Sequence, residues 1–171
     1  MNRKLQAWSI AAGLTLILPL LGSFPEARGQ SLAASSVAVE HNRKGLGYFN
    51  TGFYDLAPKR QAKEADRFYE MAAVEFKKAI SLDAKNIDAH RNLARVWYVQ
   101  EKYAESAEMY KIVTLLDPRN PDAYLTLADA YARIGNVREA IVQLEIAKTY
   151  TTDAAALEKL NGFIEKLKSG R

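Results

Sequence analysis

The residues able to do acid, base, nucleophilic or metal chemistry are few in this chain and poorly spaced for it. The two histidines, His41 and His90, stand far apart, and neither has a second ligand one helical turn away. Cysteine is absent, which removes a disulfide framework, a thiolate metal site, a catalytic thiol and a cysteine-borne lipid anchor. The carboxylates Glu105 and Glu108 fall on what reads as an exposed helical face. Gly45 and Gly47 are followed by aromatics, without the Lys-Ser/Thr that ends a phosphate-binding loop. No catalytic residue, no metal ligand and no cofactor is expected.

The elements that position the remaining side chains show in a near-repetition from Ile87 to Tyr150 after a shift of 34 residues. Asp88, Ala89, Leu93, Ala94 and Trp97 return as Asp122, Ala123, Leu127, Ala128 and Tyr131. Ser106, Tyr110, Val113 and Leu116 answer to Ala140, Leu144, Ala147 and Tyr150. A period of 34 with this pattern means stacked helical hairpins, each burying one face and needing a neighbour for another. An array of this kind presents a curved surface to a partner.

These residues make a pattern similar to the tetratricopeptide repeat (TPR) family. There a Leu followed by a small residue, then an aromatic, marks the first helix of a unit, small and aromatic residues mark the second, and Pro closes it. Ala94 and Ala128 are the small residues, and Pro118 closes a unit. His90, Ser106 and Thr152 depart from the pattern, standing where a large apolar residue, Ala and Pro are usual. The resemblance implies an all-α, right-handed superhelix of about three hairpins, the first irregular, with a terminal capping helix.

Residues 1–29 read as a signal peptide: a basic start at Arg3 and Lys4, an apolar run from Ala7 to Leu21, and small residues at Ala27 and Gly29 before a cleavage point at Gln30. An uncleaved anchor is the competing reading, although Ser9, Thr15 and Pro19 interrupt the run. Without this segment Lys+Arg falls from 24 to 21 and Asp+Glu from 20 to 19, leaving a net charge of +2 and no strong pull on nucleic acid. Residues 30–44, rich in Ser and Ala, read as a linker that contains His41. The domain spans 45–171, with an irregular repeat at 45–86, repeats at 87–120 and 121–152, and a capping helix at 153–168. Phe68, Ala72, Phe76, Ala79 and Leu82 mark one face of a helix from about Gln61 to Leu82. Asn86, Asn120 and Asp153 read as helix caps, and Gly135-Asn136 as a turn.

The family resemblance places the binding surface on the first helix of each unit. Arg91, Asn92, Arg95, Tyr98 and Val99 then face a groove with Asp122, Leu125, Thr126, Asp129 and Arg133. A second surface is expected at Tyr48, Phe49, Phe53 and Tyr54, whose rings either pack as core or meet a partner. Some family members grip a chaperone's C-terminal carboxylate with Lys and Asn, closed by Lys and Arg on the third unit. Asp122 and Thr126 stand where those last cations would be, so that clamp is not expected. The expected function is a non-catalytic scaffold or adaptor outside the cytoplasm, binding a protein or peptide partner. The alternatives are a self-associating oligomer and a membrane-tethered assembly factor that keeps its first 29 residues.

Overall fold

The computed structural model describes residues 25–170; the basic start and apolar run of the expected signal lie outside them. Its α-helices are α1 (Pro25–Asn50), α2 (Ala62–Leu82), α3 (Ile87–Val99), α4 (Tyr103–Leu116), α5 (Pro121–Arg133), α6 (Val137–Tyr150) and α7 (Ala154–Ser169). They form a solenoid of helical hairpins, α1–α2, α3–α4 and α5–α6, with α7 closing the stack against α6. No strand occurs among the described residues, and none of the described helices is long and apolar enough to cross a membrane.

The helix ends follow from local chemistry. Asn86 accepts from the Ala89 amide, Asn120 from the Asp122 amide and Asp153 from the Ala156 amide, each satisfying an orphan donor. Gly135 turns α5 into α6 with φ of 79°, a left-handed conformation glycine adopts freely. The equivalent turn between α3 and α4 puts Glu101 at φ of 59°, held by hydrogen bonds that the Lys102 and Glu101 amides donate to the Trp97 and Tyr98 carbonyls.

Two of the departures from the family pattern, His90 and Ser106, bond to backbone carbonyls, although the buried His90 Nδ1 has no partner among the described residues. His90 and Tyr124, related by the 34-residue shift, each reach back six residues. His90 Nε2 donates to the Ala84 carbonyl at 3.0 Å and the Tyr124 hydroxyl to the Pro118 carbonyl at 3.0 Å, pinning the loop before each hairpin. Ser106 is buried and donates to the Ala94 carbonyl of the facing helix at 2.9 Å, where a methyl group would only pack. Ser106→Ala is expected to cost about 1 kcal/mol in urea unfolding, with the slope unchanged.

Residues 30–44 are helical, not the linker their composition suggested. α1 docks on α2 through small residues, so its sequence carries little of the large apolar periodicity that marks an amphipathic helix. Ala38, Gly45 and Gly52, spaced seven apart, are all buried. A Cβ on Gly45 would stand 2.7 Å from the Phe76 ring, and one on Gly52 would stand 2.8 Å from the Tyr69 ring. These two glycines therefore let the aromatic rings of α2 meet the backbone of α1, and the helix propensity they forfeit is offset by that contact. The buried face of α2 runs through Ala65, Tyr69, Ala72, Phe76 and Ala79; Phe68 is only half-buried, edge-on to Tyr48, and Leu82 is 39% exposed at the helix end. α1 is continued by a π-helical turn, Thr51–Leu56, and the helical segment ends at the 3-10 turn containing Pro58.

His41 is not isolated. Its Nδ1 lies 2.6 Å from Oε2 of Glu75, a carboxylate only 4% exposed, and Lys44 and Lys78 meet the other oxygen at 3.4 and 3.1 Å. Burial alone would raise the Glu75 pKa, but the hydrogen bonds from His41, Lys78 and Lys44 outweigh it and hold the carboxyl down at about 2.

Candidate partner-binding groove

The first helices of successive hairpins, α3 and α5, carry the side chains that the sequence assigns to a groove, and the structure divides them. Tyr98, Leu125, Thr126 and Asp129 line an apolar compartment of about 670 Å³. Arg91, Arg95, Asp122 and Thr126 line a smaller polar one of about 200 Å³. Tyr110 and Thr126 border both, so the two compartments are neighbours across them.

Three expected residues are engaged elsewhere. Asn92 donates to the Asn42 side chain of α1 at 3.1 Å. Val99 packs against the core cluster formed around Phe49, Tyr69 and Phe76. Arg133 lies over the rings of Tyr98 and Tyr103, 5.9 and 5.8 Å from their centroids. The two rings meet edge to face at 5.2 Å, and the Tyr98 hydroxyl donates to Asp129, which also sits 4.0 Å from Arg133. Burial and this bond to Asp129 raise the Tyr98 pKa, so the phenol keeps its proton. Tyr98, Asp129 and Arg133 thus form a closed polar set tying α3 to α5, and the charge of Asp129 is spoken for.

The two arginines of the smaller compartment differ. Arg91 pairs with Asp88 within its own helix at 3.1 Å. Arg95 has no carboxylate within 4.0 Å among the described residues; its guanidinium carbon lies 4.9 Å from the centroid of the Phe49 ring, which joins α3 to α1. Of the second expected surface, Phe49 is therefore core at 2% exposed and Tyr48 is half-buried, whereas Phe53 and Tyr54 are exposed and stack edge to face at 5.0 Å.

The larger compartment also takes residues that the sequence did not single out: Tyr110 of α4, Leu144 of α6, and Phe163, Lys166 and Leu167 of α7. The capping helix is thus a wall of the groove as well as a lid on the core. The signal was present in outline, because α7 keeps Leu160, Ile164 and Leu167 on one stripe, and Phe163 and Lys166 flank that stripe one helical turn apart. No group of three His, Cys, Asp or Glu able to hold a metal ion occurs among the described residues.

Residues 99–160 match a family model described as tetratricopeptide repeat. No curated protein matches the chain. Among solved structures, the second TPR domain of human RPAP3 in complex with an HSP70 peptide superposes with a TM-score of 0.62 at 20% identity, covering 79% of this chain and 98% of that one. The N-terminal domain of stress-induced protein-1 from C. elegans gives 0.59 at 18% identity, covering 80% and 98%. The Yersinia enterocolitica type III secretion translocator chaperone SycD gives 0.57 at 16% identity, covering 72% and 83%. At these identities the likeness is one of fold.

Proposed function

From a solenoid with tetratricopeptide repeats across residues 99–160, we propose a non-catalytic adaptor that holds a segment of a protein partner in the groove between α3, α5 and α7. The observation that carries this reading is the neighbouring pair of compartments, one apolar and one bearing the Arg95 guanidinium, which has no carboxylate partner among the described residues, with Tyr110 between them. The human RPAP3 domain is solved with a peptide, which supports a peptide-sized occupant. The same peptide is not proposed, because Asp122 and Thr126 occupy the sites where the family clamp completes its cation set.

Export completes the proposal and rests on residues 1–29 alone. N-terminal sequencing of the native protein tests it: a first residue at or after Gln30 supports a cleaved signal, and an intact Met1 supports a tether or no export. Pairing of two copies through α1 is a second reading, favoured by the exposure of Leu32 and Val39 on that helix and of Phe53 in the π-helical turn that follows it. Mass measured against concentration by light scattering separates the two readings.

Binding is tested with the double variant Arg95→Glu, Tyr98→Ala against the wild-type chain as bait. Captured partner is expected to fall by about tenfold or more, with helicity retained. Equal capture by both baits would remove the groove as the working surface.

A further inference from the structure

Tyr110 is 4% exposed, yet its hydroxyl makes no hydrogen bond among the described residues, and the atom is not sealed from solvent. The hydroxyls of Tyr98 and Tyr124 are bonded, whereas that of Tyr69, 5% exposed, is unbonded like that of Tyr110; a buried tyrosine normally finds a partner, and of these two Tyr110 is the one that lines the groove. Tyr110 lines both compartments of the groove. Burial pushes its pKa up to about 12, so the group remains an O–H donor at every physiological pH.

The charges around it are lopsided. Asp129 is held by Tyr98 and Arg133. On α7, Lys168 pairs with Glu165 at 3.1 Å, whereas Lys166, on the wall of the apolar compartment, has no carboxylate within 4.0 Å among the described residues. Asp122 also lacks a cation within 4.0 Å among the described residues, but it shares the lining of the smaller compartment with Arg91 and Arg95. A basic ligand entering the larger compartment would meet Lys166, and the carboxylate on its lining, Asp129, is already engaged by Tyr98 and Arg133.

We infer that the groove selects an extended peptide in which a bulky apolar side chain stands next to a carboxylate. The apolar side chain fills the space between Tyr98, Leu125, Leu144 and Phe163, the carboxylate meets Lys166, and a peptide carbonyl accepts from the Tyr110 hydroxyl. This rests on the groove being the binding surface and adds the chemistry of its occupant. It also gives α7 a recognition role: the helix that caps the core supplies the ligand's counter-charge and one wall of its apolar pocket.

The test is an array of short peptides with a Leu-Phe core flanked by Glu, Gln or Lys, probed with the full chain and followed by fluorescence titration of those that bind. Glu-flanked peptides are expected to bind about tenfold tighter than their Lys-flanked counterparts. Lys166→Glu should reverse that preference. Tyr110→Phe should weaken binding by about five- to tenfold while leaving the melting temperature within the wild-type range, since only an unbonded hydroxyl is lost. Equal binding of Glu- and Lys-flanked peptides, or a preference that survives Lys166→Glu, overturns the inference. If Gln- or Lys-flanked peptides bind best and Tyr98→Ala abolishes that binding, the groove stands and its acidic preference falls. If no peptide binds, or binding ignores Tyr98→Ala, both fall.

Discussion

Phe76→Ala is expected to remove about 3–5 kcal/mol of stability, among the largest losses any single truncation of this protein would give. The ring is wholly buried and stands against the Gly45 backbone, so its removal leaves a cavity between α1 and α2 that neither helix can close without tilting. The complementary change, Gly45→Ala, would place a methyl group 2.7 Å from the same ring. It should cost about 1–3 kcal/mol despite the better helix propensity of alanine. Combined with Phe76→Leu, which vacates that space, Gly45→Ala should cost less than the two changes separately. Urea unfolding of the four proteins measures this coupling. Strict additivity would mean that the two residues do not touch.

The second large effect is on acid stability. The Glu75 pKa is depressed to about 2 in the folded chain against an ordinary 4.5, so the stability it contributes is complete above pH 4.5 and is lost as pH falls through about 2. That contribution is about 1–3 kcal/mol, most of it through His41, because Lys44 and Lys78 are half-exposed and screened by salt. Glu75→Gln should therefore be less stable than wild type at neutral pH, and the two should converge near pH 2. His41→Ala should destabilise the neutral protein in the same direction by leaving a buried carboxylate with fewer donors. Parallel stability curves for wild type and Glu75→Gln between pH 5 and pH 2 would show that Glu75 is not held as described.

Both effects sit at the α1–α2 seam, the part of the fold least legible in the sequence. The hairpins from α3 to α6 announce themselves because Leu93, Ala94, Leu127 and Ala128 sit on a strict period and the caps at Asn86 and Asn120 bracket it. α1 hides for a physical reason. A helix that docks through Ala38, Gly45 and Gly52 buries backbone instead of side chains, and a scan for large apolar residues passes over it. The seven-residue spacing of those three small residues was the available signal. His41 looked solitary because its partner, Glu75, is 34 positions away on the antiparallel helix.

The groove was half legible. The first-helix rule places Tyr98, Leu125, Thr126 and Asp129 on the larger compartment, and Arg91, Arg95 and Asp122 on the smaller. It does not tell that Asn92 is tied to Asn42, that Arg133 is stacked on two tyrosines, or that Asp129 accepts from Tyr98 beside Arg133. Those are relations between helices, which a periodicity along one helix cannot carry. Tyr110, Phe163 and Lys166 were passed over because a second helix and a capping helix are expected to serve the core.

Site-specific photocrosslinking tests the central claim most directly. A photoreactive side chain at position 98 or 163 reports from inside the groove, and one at position 115 reports from α4, where Leu115 is 80% exposed away from it. In the native host, adducts to a partner are expected from positions 98 and 163 and not from position 115. Adducts from position 115, with none from the groove, would contradict a partner held between α3, α5 and α7.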